Sequence, residues 1–232
     1  MLTILQARTS STRLPGKVLL DLCGAPMLQR QIERVRRAQG IGTLVVATST
    51  DASDDAVAAL CGRIGVACHR GPLDDVLARF QGAAEAFGPS DHIVRLTGDC
   101  PLTDPQVIDS VIASHLDSNA DYTSNTLKLT FPKGQDVEVF RAEHLATAAR
   151  EATDPFEREH VTPFLYRHPE RFRLAGLERD PPLGGLRWTV DTPEDFAFVT
   201  RVYAALYPAN PAFTSEDVLR VTKEEAPRGR EG

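Results

Sequence analysis

Apolar positions in the first half of the chain fall into short continuous runs separated by amphipathic stretches. Leu2 to Gln6, Leu44 to Thr48 and His92 to Leu96 are runs of strand length, and Val66 to His69 is a shorter one. Between them, Leu28, Ile32 and Val35 share one face of a helix expected over Met27 to Ala38. Val57, Leu60, Cys61 and Ile64 repeat that spacing, as do Val76, Phe80, Ala83 and Phe87. Pro105 suits the first turn of a helix whose apolar positions are Val107, Ile108, Val111 and Ile112. Strand and helix alternating at this spacing predict an α/β protein with a largely parallel sheet covered by helices on both faces.

Beyond about Ala120 the rhythm changes. Asp121 to Asn125 and Val137 to Phe140 read as strands, with turn chemistry at Phe131-Pro132-Lys133-Gly134 between them. Helices are expected over Ala142 to Glu151 and Phe156 to Tyr166, the second kinked or started by Pro163. Arg173 to Leu177 and Leu186 to Val190 read as further strands. Phe196, Val199, Tyr203 and Leu206 define another helix, and Ser215 is expected to cap a last short one. Residues 1–222 thus read as one domain in which about 121–186 form a small α+β lobe for substrate or subunit contact. Lys223 to Gly232, polar with Pro and Gly, reads as a frayed tail.

A chain of 232 residues, 42% of them hydrophobic, can bury a full core. Its net charge of −6 argues against a generally basic nucleic-acid surface. The charge is uneven, because the first 40 residues hold seven Lys or Arg against two Asp or Glu. A basic patch on an acidic protein suits a small polyanion, although Arg30, Arg34 and Arg37 also fit the solvated face of a helix. Cys23, Cys61, Cys68 and Cys100 show no CxxC pairing or zinc spacing and read as reduced thiols. No run is long enough to span a membrane and the apolar start lacks the marks of a signal peptide, so a cytoplasmic protein without membrane contact is expected.

The densest chemistry follows the first strand, in Gln6-Ala7-Arg8-Thr9-Ser10-Ser11-Thr12-Arg13-Leu14-Pro15-Gly16-Lys17. Hydroxyls and three cations at the carboxyl edge of a parallel strand, ahead of a helix, build a phosphate site. It is not a Walker A loop, since Ser11 stands where its first glycine belongs and Val18 follows the lysine. A surface turn with scattered charges is the alternative. The strand ending at Leu96 leads into Thr97-Gly98-Asp99-Cys100-Pro101, where Gly98 permits close approach and Asp99 reads either as a magnesium ligand or as a turn cap. Asp191, in Val190-Asp191-Thr192-Pro193-Glu194-Asp195, reads either as a second carboxylate for the same metal or as an N-cap with Glu194 as its capping-box partner.

These stretches, in this order and spacing, resemble the signatures of sugar-acid cytidylyltransferases, which include the CMP-sialic acid and CMP-3-deoxy-manno-octulosonate synthetases. The spore-coat polysaccharide biosynthesis branch is the most similar. Its likeness extends to Arg70-Gly71-Pro72-Leu73-Asp74-Asp75-Val76-Leu77, Gly134-Gln135-Asp136-Val137-Glu138-Val139-Phe140 and Arg158-Glu159-His160-Val161-Thr162-Pro163. The resemblance runs from Leu2 to about Tyr207. It implies a Rossmann-like, three-layer nucleotidyltransferase fold of GT-A-like type, and a homodimer joined through about Lys128 to Leu186.

By position, the resemblance implies that Gln6, Ala7 and Arg8 meet the cytidine nucleotide, that Ser11, Arg13, Lys17 and Gly98 surround its phosphates, and that Asp99 and Asp191 hold Mg2+. The implied reaction joins CTP to an acidic sugar, a 2-keto-3-deoxy sugar acid, and releases pyrophosphate. Arg8, Lys17, Asp99 and Asp191 are its expected catalytic residues. Asp136 and Glu138, two apart on a strand, point one way, toward a site or toward solvent. Lys133, Arg158 and His160 are candidate receivers of the sugar carboxylate or surface residues. The chain departs from the sialate pattern in having Pro193 rather than a second aspartate after Asp191, and Thr97 where many relatives carry Gln. A nucleotide-sugar glycosyltransferase of related fold is the alternative, though Asp99-Cys100-Pro101 lacks the DxD pair. A nucleotide-binding protein without turnover is another.

Overall fold

A computed structural model describes residues 1–225. The apolar runs become β1 (Leu2–Gln6), β2 (Thr43–Ser49), β3 (Ala67–Gly71) and β4 (His92–Thr97), all parallel. The connecting helices are α1 (Met27–Val35), α2 (Asp55–Arg63) and α3 (Val76–Phe87), and α4 (Pro105–Ser118) follows β4. Then come β5 (Tyr122–Ser124), β6 (Glu138–Arg141), α5 (Ala142–Glu151), α6 (Pro155–His160), α7 (Pro163–Tyr166), β7 (Leu174–Gly176), α8 (Pro193–Leu206) and α9 (Ser215–Glu225). The strands form one sheet in the order β3-β2-β1-β4-β6-β5-β7, in which β6 runs antiparallel to both neighbours. The expected α+β segment therefore adds its strands to the same sheet rather than building its own.

Alternation along the strands splits the core into two layers. Leu5 on β1, Val46 on β2 and Val94 and Leu96 on β4 pack with α1, α2, α4, α8 and α9. Leu2, Ile4, Val45, Ala47 and Ile93 point the other way, against α3, α5 and the residues of α7. Helices on both faces of a mostly parallel sheet are the expected three-layer architecture.

Five expectations change on contact with tertiary structure. Leu186 to Val190 is not a strand, since among the described residues its β-pairing is limited to an isolated bridge between Arg187 and Lys133. Trp188 and Val190 are buried in the core, at 2% and 0% exposure, so they mark burial and not a ladder. The helix expected over Phe156 to Tyr166 breaks into α6 and α7 at Val161, whose φ of 71° is rarely adopted by a β-branched residue. Arg34 is not on a solvated face: it is 1% exposed, donates from Nε to the Thr103 carbonyl, and lies 4.0 Å from the Phe213 ring centroid. Ser215 is the first residue of α9 and not its cap. Thr214 and Asp217 exchange side-chain and backbone hydrogen bonds one residue earlier. Helix α9 also takes in Lys223 to Glu225, and the rest of the expected tail lies outside the described residues.

Candidate active site

The loop after β1 is pinned from beneath. Ala7 N–H donates to the Ala47 carbonyl, and Thr9 donates its N–H and hydroxyl to Asp54 Oδ1 at 2.7 and 2.8 Å. The other oxygen of Asp54 accepts from Ser49. Burial works against the Asp54 charge, but these donors hold its pKa below the ordinary carboxylate value. Gly16 N–H then closes the loop onto the Thr9 carbonyl, and Gly16 takes a left-handed φ of 69° that favours glycine. The chain turns there into a short 3-10 helix that begins at Lys17.

Lys17 is 8% exposed, and its ammonium is the meeting point of three elements. Nζ lies 3.2 Å from Asp99 Oδ2, 3.1 Å from Asp191 Oδ1 and 2.6 Å from the Val190 carbonyl oxygen. Asp191 Oδ2 faces Arg13 at 3.1 Å and Arg187 at 2.6 Å. Burial disfavours the Asp191 carboxylate, yet its contacts with Lys17, Arg187 and Arg13 lower its pKa. Asp191 is not the helix cap: Thr192 caps α8 and Asp195 completes the capping box, so the Asp191 side chain is left to the site. Asp195 also binds Arg187, and its pKa falls to about 2 because hydrogen bonds from Arg187 and two backbone N–H groups outweigh burial.

Gly98 brings the two strand ends together. Its N–H donates to the Gln6 carbonyl at 2.8 Å, and a Cβ there would stand 2.9 Å from both Ala7 Cβ and Gln6 O. Above this seam opens a cavity of about 450 Å³ lined by Gln6, Ala7, Arg8, Ser11, Arg13, Lys17, Gly98, Asp99 and Asp191 among others. Every nucleotide-site residue expected from the sequence thus lies on one cavity at the carboxyl edge of the parallel strands, where such sheets bind ligands.

A second cavity of about 460 Å³ shares Thr97 and His160 with the first, so the two meet. Its wall carries Arg95 and Glu138, which form an ion pair, and Glu138 also accepts from Tyr122 at 2.7 Å and Thr162 at 2.5 Å. Burial opposes the Arg95 charge, but Glu138 raises its pKa. Asp136 lies on the same wall and, among the described residues, receives only the Gly134 N–H. Burial, with Glu138 and Asp99 nearby, pushes its pKa above the ordinary carboxylate value.

Of the expected sugar-site residues, Asp136, Glu138 and His160 face this cavity; Lys133 and Arg158 do not line it. Arg158 grips Asp75, the cap of α3, at 2.6 and 2.9 Å, and donates to the Ala149 and Ala152 carbonyls. It fastens α6 to α3. Lys133 is exposed and pairs through its backbone with Arg187. Sequence reasoning missed Arg79, a buried wall residue of the first cavity whose pKa is lowered to about 10 by burial and by Arg8. It also missed Arg95, Tyr122, Thr162 and Arg187. An arginine inside the apolar strand run His92 to Leu96 was a readable signal; the others depend on contacts between segments distant in sequence.

The convergence on Lys17 tests whether the site suits a divalent cation. Two carboxylates and a carbonyl oxygen already surround one positive charge. Among the described residues no group of three or more His, Cys, Asp or Glu is arranged to hold a metal. Two carboxylates with phosphate and water completing the shell is the donor set that magnesium takes, so the residues fit.

A family model for cytidylyltransferases matches residues 2–207. The chain belongs to the cytidylyltransferase family. That makes it an enzyme of the CTP-dependent nucleotidyltransferase type. The chain is 38% identical over 210 residues to the spore coat polysaccharide biosynthesis protein SpsF of Bacillus subtilis, covering 88% of this chain and 86% of that one. A solved cytidylyltransferase from Leptospira borgpetersenii superposes with a TM-score of 0.90 at 30% identity, over 96% of this chain and 93% of that one. A CMP-2-keto-3-deoxy-manno-octonic acid synthetase solved with CTP gives a TM-score of 0.64 at 19% identity over 88% and 98%, a likeness of fold. No helix among the described residues is long and apolar enough to cross a membrane, and the four cysteines are free.

Proposed function

We propose that this cytidylyltransferase transfers CMP from CTP to the anomeric hydroxyl of a 2-keto-3-deoxy sugar acid and releases pyrophosphate, for surface polysaccharide or glycan synthesis. The observation that carries the reading is the pair of joined cavities, one with clustered cations beside two convergent carboxylates, the other lined by hydroxyls and carboxylates. The nucleotide lies in the first. Arg8, Arg13 and Lys17 offset the triphosphate charge, Ser11 and the backbone near Gly98 border the phosphates, and Gln6 and Ala7 face the base. Asp99 and Asp191 hold Mg2+, which supplies charge neutralisation and alignment at the α-phosphate when bound.

The sugar lies in the second cavity. His160 is the donor there for its carboxylate, since Arg158 is committed to Asp75 and Arg95 to Glu138. Asp136 takes the proton from the attacking hydroxyl. Of the carboxylates bordering the two cavities, Asp99 and Asp191 meet Lys17, Glu138 meets Arg95 and Glu159 meets Arg8, whereas Asp136 faces no cation at hydrogen-bond distance among the described residues. Its raised pKa makes it a better base than an ordinary aspartate.

The reading includes a homodimer through about 128–186, supported by the exposure of Leu129 (74%), Leu127 (42%) and Leu186 (37%). Light scattering at micromolar concentration tests it, a monomer being the contrary result. The function itself is tested by pyrophosphate release from CTP with a panel of keto-deoxy acids. Release with at least one acid supports the reading. UDP-sugar consumption instead points to a glycosyltransferase, and binding without turnover to a nucleotide sensor.

A further inference from the structure

We infer that Lys17 is the resident counter-ion of the metal site, so that a divalent cation and the Lys17 ammonium compete for the same two carboxylates until a triphosphate draws the lysine away. This rests on the proposed role of Asp99 and Asp191 as metal ligands. The ammonium sits between Asp99 Oδ2 and Asp191 Oδ1 at 3.2 and 3.1 Å, and the Val190 carbonyl oxygen at 2.6 Å completes a three-oxygen nest. The side chain is only 10% exposed, so water screens these contacts little. This differs from a surface ion pair, in which either partner is free to leave.

Charge makes the arrangement exclusive. Asp191 already faces Arg13 and Arg187 on its other oxygen, so a divalent ion placed beside a retained ammonium would meet an excess of positive charge. Metal entry therefore requires Lys17 to swing out of the nest, and without nucleotide it leaves three hydrogen bonds with nothing to replace them. A triphosphate changes both sides of the balance. Lys17 lines the nucleotide cavity and can exchange its carboxylates for phosphate oxygens, and those oxygens also complete the metal's shell. Nucleotide and metal then load together, each raising the affinity for the other. The nest keeps the acidic pair neutralised in the empty enzyme.

The test is a nucleotide-free Mn2+ titration, read by electron paramagnetic resonance, of wild type, Lys17→Met and Lys17→Gln. Both variants should bind Mn2+ more tightly than wild type, by about tenfold, the size of a typical coupling between sites. Adding Asp191→Asn to either variant should erase the gain. The same variants should bind CTP more weakly. A second measurement uses wild type alone: saturating Mn2+ without nucleotide should expose Lys17 and raise its reductive methylation, followed by peptide mass spectrometry. Unchanged or weaker Mn2+ binding in the variants, or an unchanged methylation rate while Mn2+ is bound, overturns the competition and leaves the metal site standing. No Mn2+ binding by any form, with or without CTP, overturns the metal site and the competition together.

Discussion

Replacing Asp136 with asparagine should make the protein more stable and the enzyme slower. The carboxylate lines the second cavity, accepts a hydrogen bond from Gly134 N–H at 3.2 Å, and has Glu138 and Asp99 among its neighbours. Asparagine keeps the oxygen that accepts from Gly134 and removes a poorly compensated charge. The gain should be roughly 1–2 kcal/mol, the penalty for an unpaired buried polar group, and each kcal/mol should appear as roughly 2–4 °C in melting temperature for a chain this long. An acid whose folded pKa is raised binds its proton more tightly in the fold than in the unfolded chain. Wild-type stability therefore falls as pH climbs from the ordinary aspartate value of 3.8 through the raised value, and the variant lacks that fall. Turnover should fall about a hundredfold or more, the usual worth of a positioned base, with CTP affinity preserved. Wild-type activity should also decline as pH drops through the raised Asp136 pKa, and the variant should lose that decline. Melting curves with steady-state pyrophosphate assays across pH decide it. A variant with turnover near wild type, or one that loses stability and activity together, refutes the assignment of Asp136 as base.

Arg158→Ala should lower stability by roughly 1–3 kcal/mol, because it strands the Asp75 carboxylate, while leaving the sugar KM near wild type; a large KM rise would return Arg158 to the sugar site. Gly98→Ala should displace the seam between β1 and β4, because its Cβ would meet Gln6 O at 2.9 Å, and should weaken CTP binding measured by calorimetry. His115, 1% exposed, bonded to Thr123 and facing His92, has its pKa lowered to about 4, chiefly by burial. Its stabilising neutral form is fully present above the ordinary histidine value of 6.5 and is lost as pH falls toward 4. His115→Gln should flatten the melting temperature across that window.

Most of the central α/β architecture was legible because strand and helix periodicities report burial on a sheet with two covered faces. The placement of the basic loop and Asp99 was legible for a related reason, since cations and a carboxylate at strand ends in an α/β pattern are brought to one edge by topology, whereas the role of Asp99, ligand or turn cap, was not. Asp191 was ambiguous in sequence, because Asp, Thr, Glu and Asp at a helix start can share the capping role in several ways. The contacts settle it, since Asp195 reaches back to the Thr192 N–H and frees Asp191 for Lys17. Trp188 and Val190 misled for the opposite reason, their apolarity serving a buried coil. Arg158 and Arg34 show that an arginine's sequence neighbours do not reveal whether its guanidinium meets solvent, a carbonyl or a partner carboxylate.

The central claim is tested most directly by incubating the enzyme with Mg2+, α-phosphate-labelled CTP and a panel of 2-keto-3-deoxy sugar acids, and following where the label goes. The expected result is label in a CMP-sugar, with one pyrophosphate released per label transferred and no comparable product from ATP, GTP or UTP. CTP that binds tightly yet stays intact with every acid, or UDP-sugar consumed while CTP is untouched, would contradict it.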